Sequence, residues 1–181
     1  MIERFVVVPG WGGSGPEHWQ RIWAQADPRF EVVEQDDWDL PHVDDWIERL
    51  DNCVRGSDQP AVLVAHSLGC HTAARWAGVR DSTVIRAALL VAPPDIEFSV
   101  AQGAAPIATF GPVSSASLPF PTLLAASETD PWARIEWSSQ LARDWGADFV
   151  NLGDCGHVNA ASGHGPWGQG RDLLSQLAAS Y

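Results

Sequence analysis

Ser67 stands where one sequence pattern gives way to another, and it is the first residue whose setting suggests chemistry. In Val62-Leu63-Val64-Ala65-His66-Ser67-Leu68-Gly69 an apolar, strand-like run passes through the serine into a helix-like stretch containing Thr72, Ala73, Ala74 and Ala77. The spacing is that of a G-x-S-x-G nucleophile elbow with Ala65 at the first glycine position. Such a serine sits on a sharp, strained turn, so the residues two before and two after it must be small enough for strand and helix backbones to approach. The helix that follows directs its partial positive charge at the hydroxyl.

A serine hydroxyl is a weak nucleophile until a base takes its proton, and the base must itself be oriented by a third group. Sites on an elbow take that set in the chain order serine, acid, histidine. Asp130 follows Thr122-Leu123-Leu124-Ala125-Ala126-Ser127 and precedes Pro131, and His157 stands in Gly153-Asp154-Cys155-Gly156-His157 after the next apolar run. Both are expected at the carboxyl ends of strands, beside Ser67. Alternatives stay open at this point. Asp130 could serve only as an N-cap ahead of Pro131, Glu128 and Asp154 are rival acids, and His157 could be an exposed loop histidine.

Acyl transfer also needs donors for an oxyanion. The Leu68 amide is expected to supply one, and the Trp11 amide the other, from Pro9-Gly10-Trp11-Gly12-Gly13-Ser14-Gly15, with Gly12 as the fallback. Gly12, His66, Phe98, Phe110 and Trp132 are candidates for the substrate pocket, each of the aromatics being equally suited to plain core. His18, His42, His71 and His164 have no better claim to a role. The glycine-rich loop spells G-x-G-x-x-G through Gly10, Gly12 and Gly15, but Pro16 intervenes directly after it and the motif alone is a weak signal, so a dinucleotide is not expected. No His, Cys, Asp or Glu set has metal-ligand spacing, and neither metal nor cofactor is expected.

The elements that must position these residues alternate. Apolar runs at Phe5 to Val8, Glu31 to Val33, Ala61 to Val64, Ala87 to Val91, Thr122 to Ala125 and Asp148 to Asn151 suit strands buried on both faces. Between them, Val43, Trp46, Ile47, Leu50 and Val54 share one helical face, Trp137, Leu141 and Trp145 recur every fourth residue, and Leu173, Leu174, Leu177 and Ala178 form a closing stripe. A βαβ alternation predicts an α/β fold: a mostly parallel sheet of about six strands with helices on both faces and its site at the strands' carboxyl ends. One interval breaks the rhythm. Ala92 to Pro119 is rich in Ala, Pro, Ser and Gly, too long for a plain connection and too short for a lid domain, and is expected to form a loop or short helical excursion over the site.

The 181 residues are expected to form one domain. A formal net charge of −12 disfavours nucleic acid and anionic membrane surfaces as partners, and no apolar stretch approaches a membrane span. The N-terminus turns at Pro9-Gly10, far short of a signal-peptide core. Three cysteines, Cys53, Cys70 and Cys155, fit a reducing compartment, so a cytoplasmic location is expected. Of the ten Trp, most are expected to pack helices onto the sheet and a minority to line a pocket.

Taken together, Val8-Pro9-Gly10-Trp11 with Glu17-His18-Trp19-Gln20, Ala65-His66-Ser67-Leu68-Gly69, Leu118-Pro119-Phe120-Pro121 with Ser127 to Pro131, and Gly156-His157-Val158-Asn159-Ala160 with Ser162-Gly163 resemble the YdeN-like serine hydrolases. That family of small α/β-hydrolases includes retinoblastoma-binding protein nine. The resemblance covers nearly the whole chain. It implies a minimal α/β-hydrolase core without a lid domain, with Ser67, Asp130 and His157 at the family's catalytic positions. The expected substrate is a small ester or amide, hydrolysed through an acyl-enzyme; a protein partner is not indicated. The alternative is a protein-binding module that keeps the fold without turnover.

Overall fold

The computed structural model describes residues 4–180; Met1 to Glu3 and Tyr181 of the expected single unit lie outside the described residues. Six strands form one all-parallel sheet: β1 (Arg4–Val8), β2 (Phe30–Val32), β3 (Ala61–His66), β4 (Ile85–Val91), β5 (Thr122–Ala126) and β6 (Asp148–Asn151), in the spatial order β2-β1-β3-β4-β5-β6. The chain steps outward from β1 to β2, then crosses back to β3 and proceeds the other way. The loops after β1 and β3 therefore diverge and leave a crevice at the carboxyl edge, where open parallel sheets place their ligands.

Alternating strand residues feed two cores, as a pleated sheet covered on both faces requires. Val6, Val8, Leu63, Ala65, Leu90 and Leu124 face α2 (Val43–Arg55), α3 (Leu68–Val79) and α5 (Ile135–Trp145). Phe5, Val7, Val62, Val64, Leu89 and Val91 face α1 (Trp19–Ala26) and α6 (Gly168–Ala179). On that second face Trp167, ahead of α6, stacks with Trp23 of α1 and packs at a tilt against Trp19, while Trp46, Trp76 and Trp145 are buried on the first. The arrangement is an α/β-hydrolase fold with no lid domain inserted among the described residues.

The irregular interval supplies α4 (Ile96–Ala101) and a loop excursion whose 3-10 turn spans Ala105–Phe110. It lies beside the crevice and contributes Pro94, Ser99, Ala104 and Ile107 to a wall near Ser67. Cys53, Cys70 and Cys155 are all free thiols. Among the described residues no helix is long and apolar enough to cross a membrane.

Candidate active site

Ser67 links β3 to α3 at φ 53°, ψ −127°, a left-handed conformation that costs a residue with a side chain roughly 1–3 kcal/mol and persists only where the surroundings enforce it. The enforcement is visible. Ser67 N–H donates to the Val91 carbonyl of β4 at 2.8 Å, anchoring the turn to the sheet. Gly69 lies so close to β1 that a Cβ there would stand 2.2 Å from the Val8 carbonyl oxygen, and one on Gly10 would stand 2.7 Å from Ser67 Cβ. The small residue demanded after the serine thus lets α3 touch the end of β1, and Gly10 lets the first loop pass over the hydroxyl.

The loops after β5 and β6 deliver the other two groups. His157 Nε2 lies 2.9 Å from Ser67 Oγ, and His157 Nδ1 lies 3.0 and 2.9 Å from the two carboxylate oxygens of Asp130. A carboxylate only accepts, so Nδ1 carries the imidazole proton and Nε2 is left to accept the serine proton. The Asp130 side chain is 2% exposed and the His157 side chain 10%, so the relay is shielded from water while Ser67 still borders the crevice. Such an arrangement can move the hydroxyl proton to the imidazole while the carboxylate holds the ring.

The open alternatives resolve individually. Asp130 does not cap α5, whose N-cap position is Arg134; its Oδ1 instead accepts the Trp132 N–H at 2.9 Å, which fixes the carboxylate in a turn. Glu128 accepts from Asn151 at 2.8 Å and Asp154 from Thr129 at 2.7 Å, both at the exposed rim. Those contacts, with Ser127 Oγ bonding the Gly153 carbonyl and the Cys155 amide at 3.0 Å each, lash the acid-bearing loop to the histidine-bearing one.

Further residues position the site, in roles that the local sequence does not specify. His66 Nε2–H donates to the His157 carbonyl at 2.9 Å, and Trp19 Nε1–H donates to the Val158 carbonyl at 2.9 Å. Gln20, fully buried, bridges the ends of β1 and β3 through the Val8 and Val64 carbonyls at 3.2 and 3.0 Å, and accepts from Ser14 Oγ at 2.6 Å. Burial holds the His66 imidazole well below its ordinary pKa, so it stays a neutral donor. Glu17-His18-Trp19-Gln20 carried this signal, but only the geometry separates its members.

Two cavities open on Ser67. The larger, about 190 Å³, is lined by Trp11, Leu68, Ala104, Ile107 and Trp132 among others; the smaller, about 80 Å³, by Gly10, Gly13, His18 and His66; both touch Trp11, His157 and Asn159. Three expected pocket residues lie elsewhere. Gly12 lines neither cavity, and its N–H is spent on the Trp38 carbonyl at 2.9 Å, which also removes it as a fallback oxyanion donor. Phe110 is fully buried edge-on against Trp46 in the core, because the 3-10 turn folds its ring inward. Phe98 is half-buried on α4 beneath the Arg134 guanidinium, while Ser99 and not Phe98 reaches the cavity. Leu68 opens α3, so its N–H belongs to the first helical turn, which has no partner within the helix. Among the described residues no group of three or more His, Cys, Asp or Glu is arranged to hold a metal ion.

Comparison with known proteins agrees with this architecture. The family described as serine hydrolase matches residues 5–176. A YdeN-like hydrolase from Pectobacterium atrosepticum is similar at 28% identity with a TM-score of 0.86, over 97% of this chain and 90% of that one. The ydeN gene product of B. subtilis superposes with a TM-score of 0.80 at 19% identity, over 98% and 99% of the two chains. Est1E from Butyrivibrio proteoclasticus shares the fold at 11% identity, with a TM-score of 0.72 over 98% and 89%. Among curated proteins, no sequence matches.

Proposed function

The chain belongs to the serine hydrolase family, and from that premise we propose that it hydrolyses small ester- or amide-type substrates through an acyl-enzyme on Ser67. The observation that carries the proposal is the unbroken chain of contacts from Ser67 Oγ through His157 to Asp130, each at 2.9–3.0 Å. Ser67 Oγ attacks the carbonyl carbon as its proton passes to His157 Nε2, and the Leu68 and Trp11 amides hold the resulting oxyanion. When the carbon–heteroatom bond breaks, the same proton goes to the leaving group. Water then attacks the ester formed with Ser67, gives one proton to Nε2, and the imidazole returns it to Oγ as the acid leaves. No net redox change occurs.

Among the described residues no Asp, Glu, Lys or Arg lines either cavity, which favours uncharged substrates. A fluorophosphonate probe tests the proposal. Wild-type protein is expected to take one phosphonyl group and Ser67→Ala none; folded wild-type protein that stays unlabelled would favour a binding module over an enzyme.

A further inference from the structure

The His18 ring has one nitrogen committed and one uncommitted. Nδ1 accepts the Gln20 N–H at 3.2 Å and so caps the start of α1. In a neutral imidazole the proton must then lie on Nε2. That Nε2–H is buried and, among the described residues, has no acceptor. Burial, and after it the neighbouring His157, hold the His18 pKa down to about 4, so the ring remains a neutral donor near neutrality. A buried donor without an acceptor is destabilising unless something in the site uses it. His18 is 6% exposed, its ring centre stands 4.7 Å from that of His66, and it lines the small cavity that also borders Ser67 and His157.

The chemistry of the proposed hydrolysis, on which this inference rests, says what must occupy that space. The leaving group receives its proton from His157 Nε2 and the later water gives its proton to the same atom, so both occupy one place. Of the two cavities meeting at His157, the one walled by Pro94, Ala104, Ile107 and Trp132 suits an apolar acyl part, and the one holding the His18 donor suits a polar group. At about 80 Å³ the latter admits roughly two or three water-sized groups, given some 30 Å³ for each. We propose that this cavity is the subsite for the leaving group and then for the hydrolytic water, with His18 Nε2–H as its hydrogen-bond donor. The preferred substrates accordingly join an apolar acyl part to a small, uncharged, polar alcohol or amide part.

The variant His18→Asn keeps a side-chain oxygen at the Nδ1 position able to cap α1, while its shorter amide ends near the place of the ring's Cδ2 and so withdraws the N–H from the Nε2 position facing the cavity. With a fixed butanoyl group, wild-type protein is expected to favour methyl and hydroxyethyl esters over benzyl and hexyl esters by about tenfold or more in kcat/KM. In His18→Asn the hydroxyethyl ester should lose about tenfold, the range of one hydrogen bond, while the hexyl ester changes by less than about twofold. A flat or reversed wild-type series, or a variant that slows every ester alike, overturns the subsite. If Ser67 still takes the fluorophosphonate in that case, the serine-hydrolase proposal stands and only this inference fails; no labelling and no turnover would overturn both.

Discussion

The His157 imidazole is held at both ends, by Asp130 at Nδ1 and by Ser67 at Nε2, while His66 and Trp19 fix the backbone that carries it. Because the carboxylate selects the tautomer, Asp130→Asn should leave the fold intact yet reduce kcat by about 10⁴, as loss of the orienting acid does in serine-histidine-aspartate sites generally. Steady-state kinetics alongside an unchanged circular dichroism spectrum would check this; a loss below tenfold would show that the ring is oriented by other means. At this scale the sequence was most legible where chemistry is local. An elbow serine, an acid before a proline and a histidine between glycine-rich turns each announce themselves. Gly12 and Phe110 did not, because their fates depend on Trp38 and Trp46, partners far along the chain. His18 ranked low for the same reason, since nothing local reveals which imidazole nitrogen is already engaged.

At the scale of elements, the elbow works because α3 and the end of β1 are in backbone contact at Gly69. Gly69→Ala would drive a methyl group into the Val8 and Pro9 carbonyls, at 2.2 and 2.6 Å, with no flexible side chain able to yield. We expect a loss of about 1–3 kcal/mol or more, read as a lower urea midpoint, together with impaired turnover as the loop after β1 is displaced. An unchanged midpoint would contradict the packing described. The strands were readable because burial on both faces makes them continuous apolar runs, and the boundaries of β5 and β6 fall within a residue of those runs. Helix α1 was not anticipated. It has eight residues, two of its three buried side chains are Trp and the third is Gln20, so its apolar stripe is too short to show a helical period. The excursion after β4 was expected as a feature over the site, but which of its side chains point inward follows from the folding of α4 and the 3-10 turn.

Across the whole molecule, burying neutral histidines couples stability to acid. His18 and His71 are both held to about 4 by burial, against 6.5 in an exposed chain. Below 6.5 the unfolded chain takes up protons that these folded rings refuse, so stability falls as pH drops from 6.5 toward 4 and is complete above that window. At pH 5 each ring should contribute about 2 kcal/mol of destabilisation. Urea denaturation at pH 7 and pH 5 would test this, and equal stabilities would contradict it. The same sheet that buries these rings brings three loops, from the ends of β3, β5 and β6, to one rim, and hydrolysis through a serine ester depends on that convergence. The most direct measurement is mass analysis of the protein acid-quenched during turnover of an activated butanoyl ester. A butanoyl group is expected on the peptide carrying Ser67, absent from Ser67→Ala. Turnover with no acylated Ser67, or with the acyl group on another residue, would contradict it.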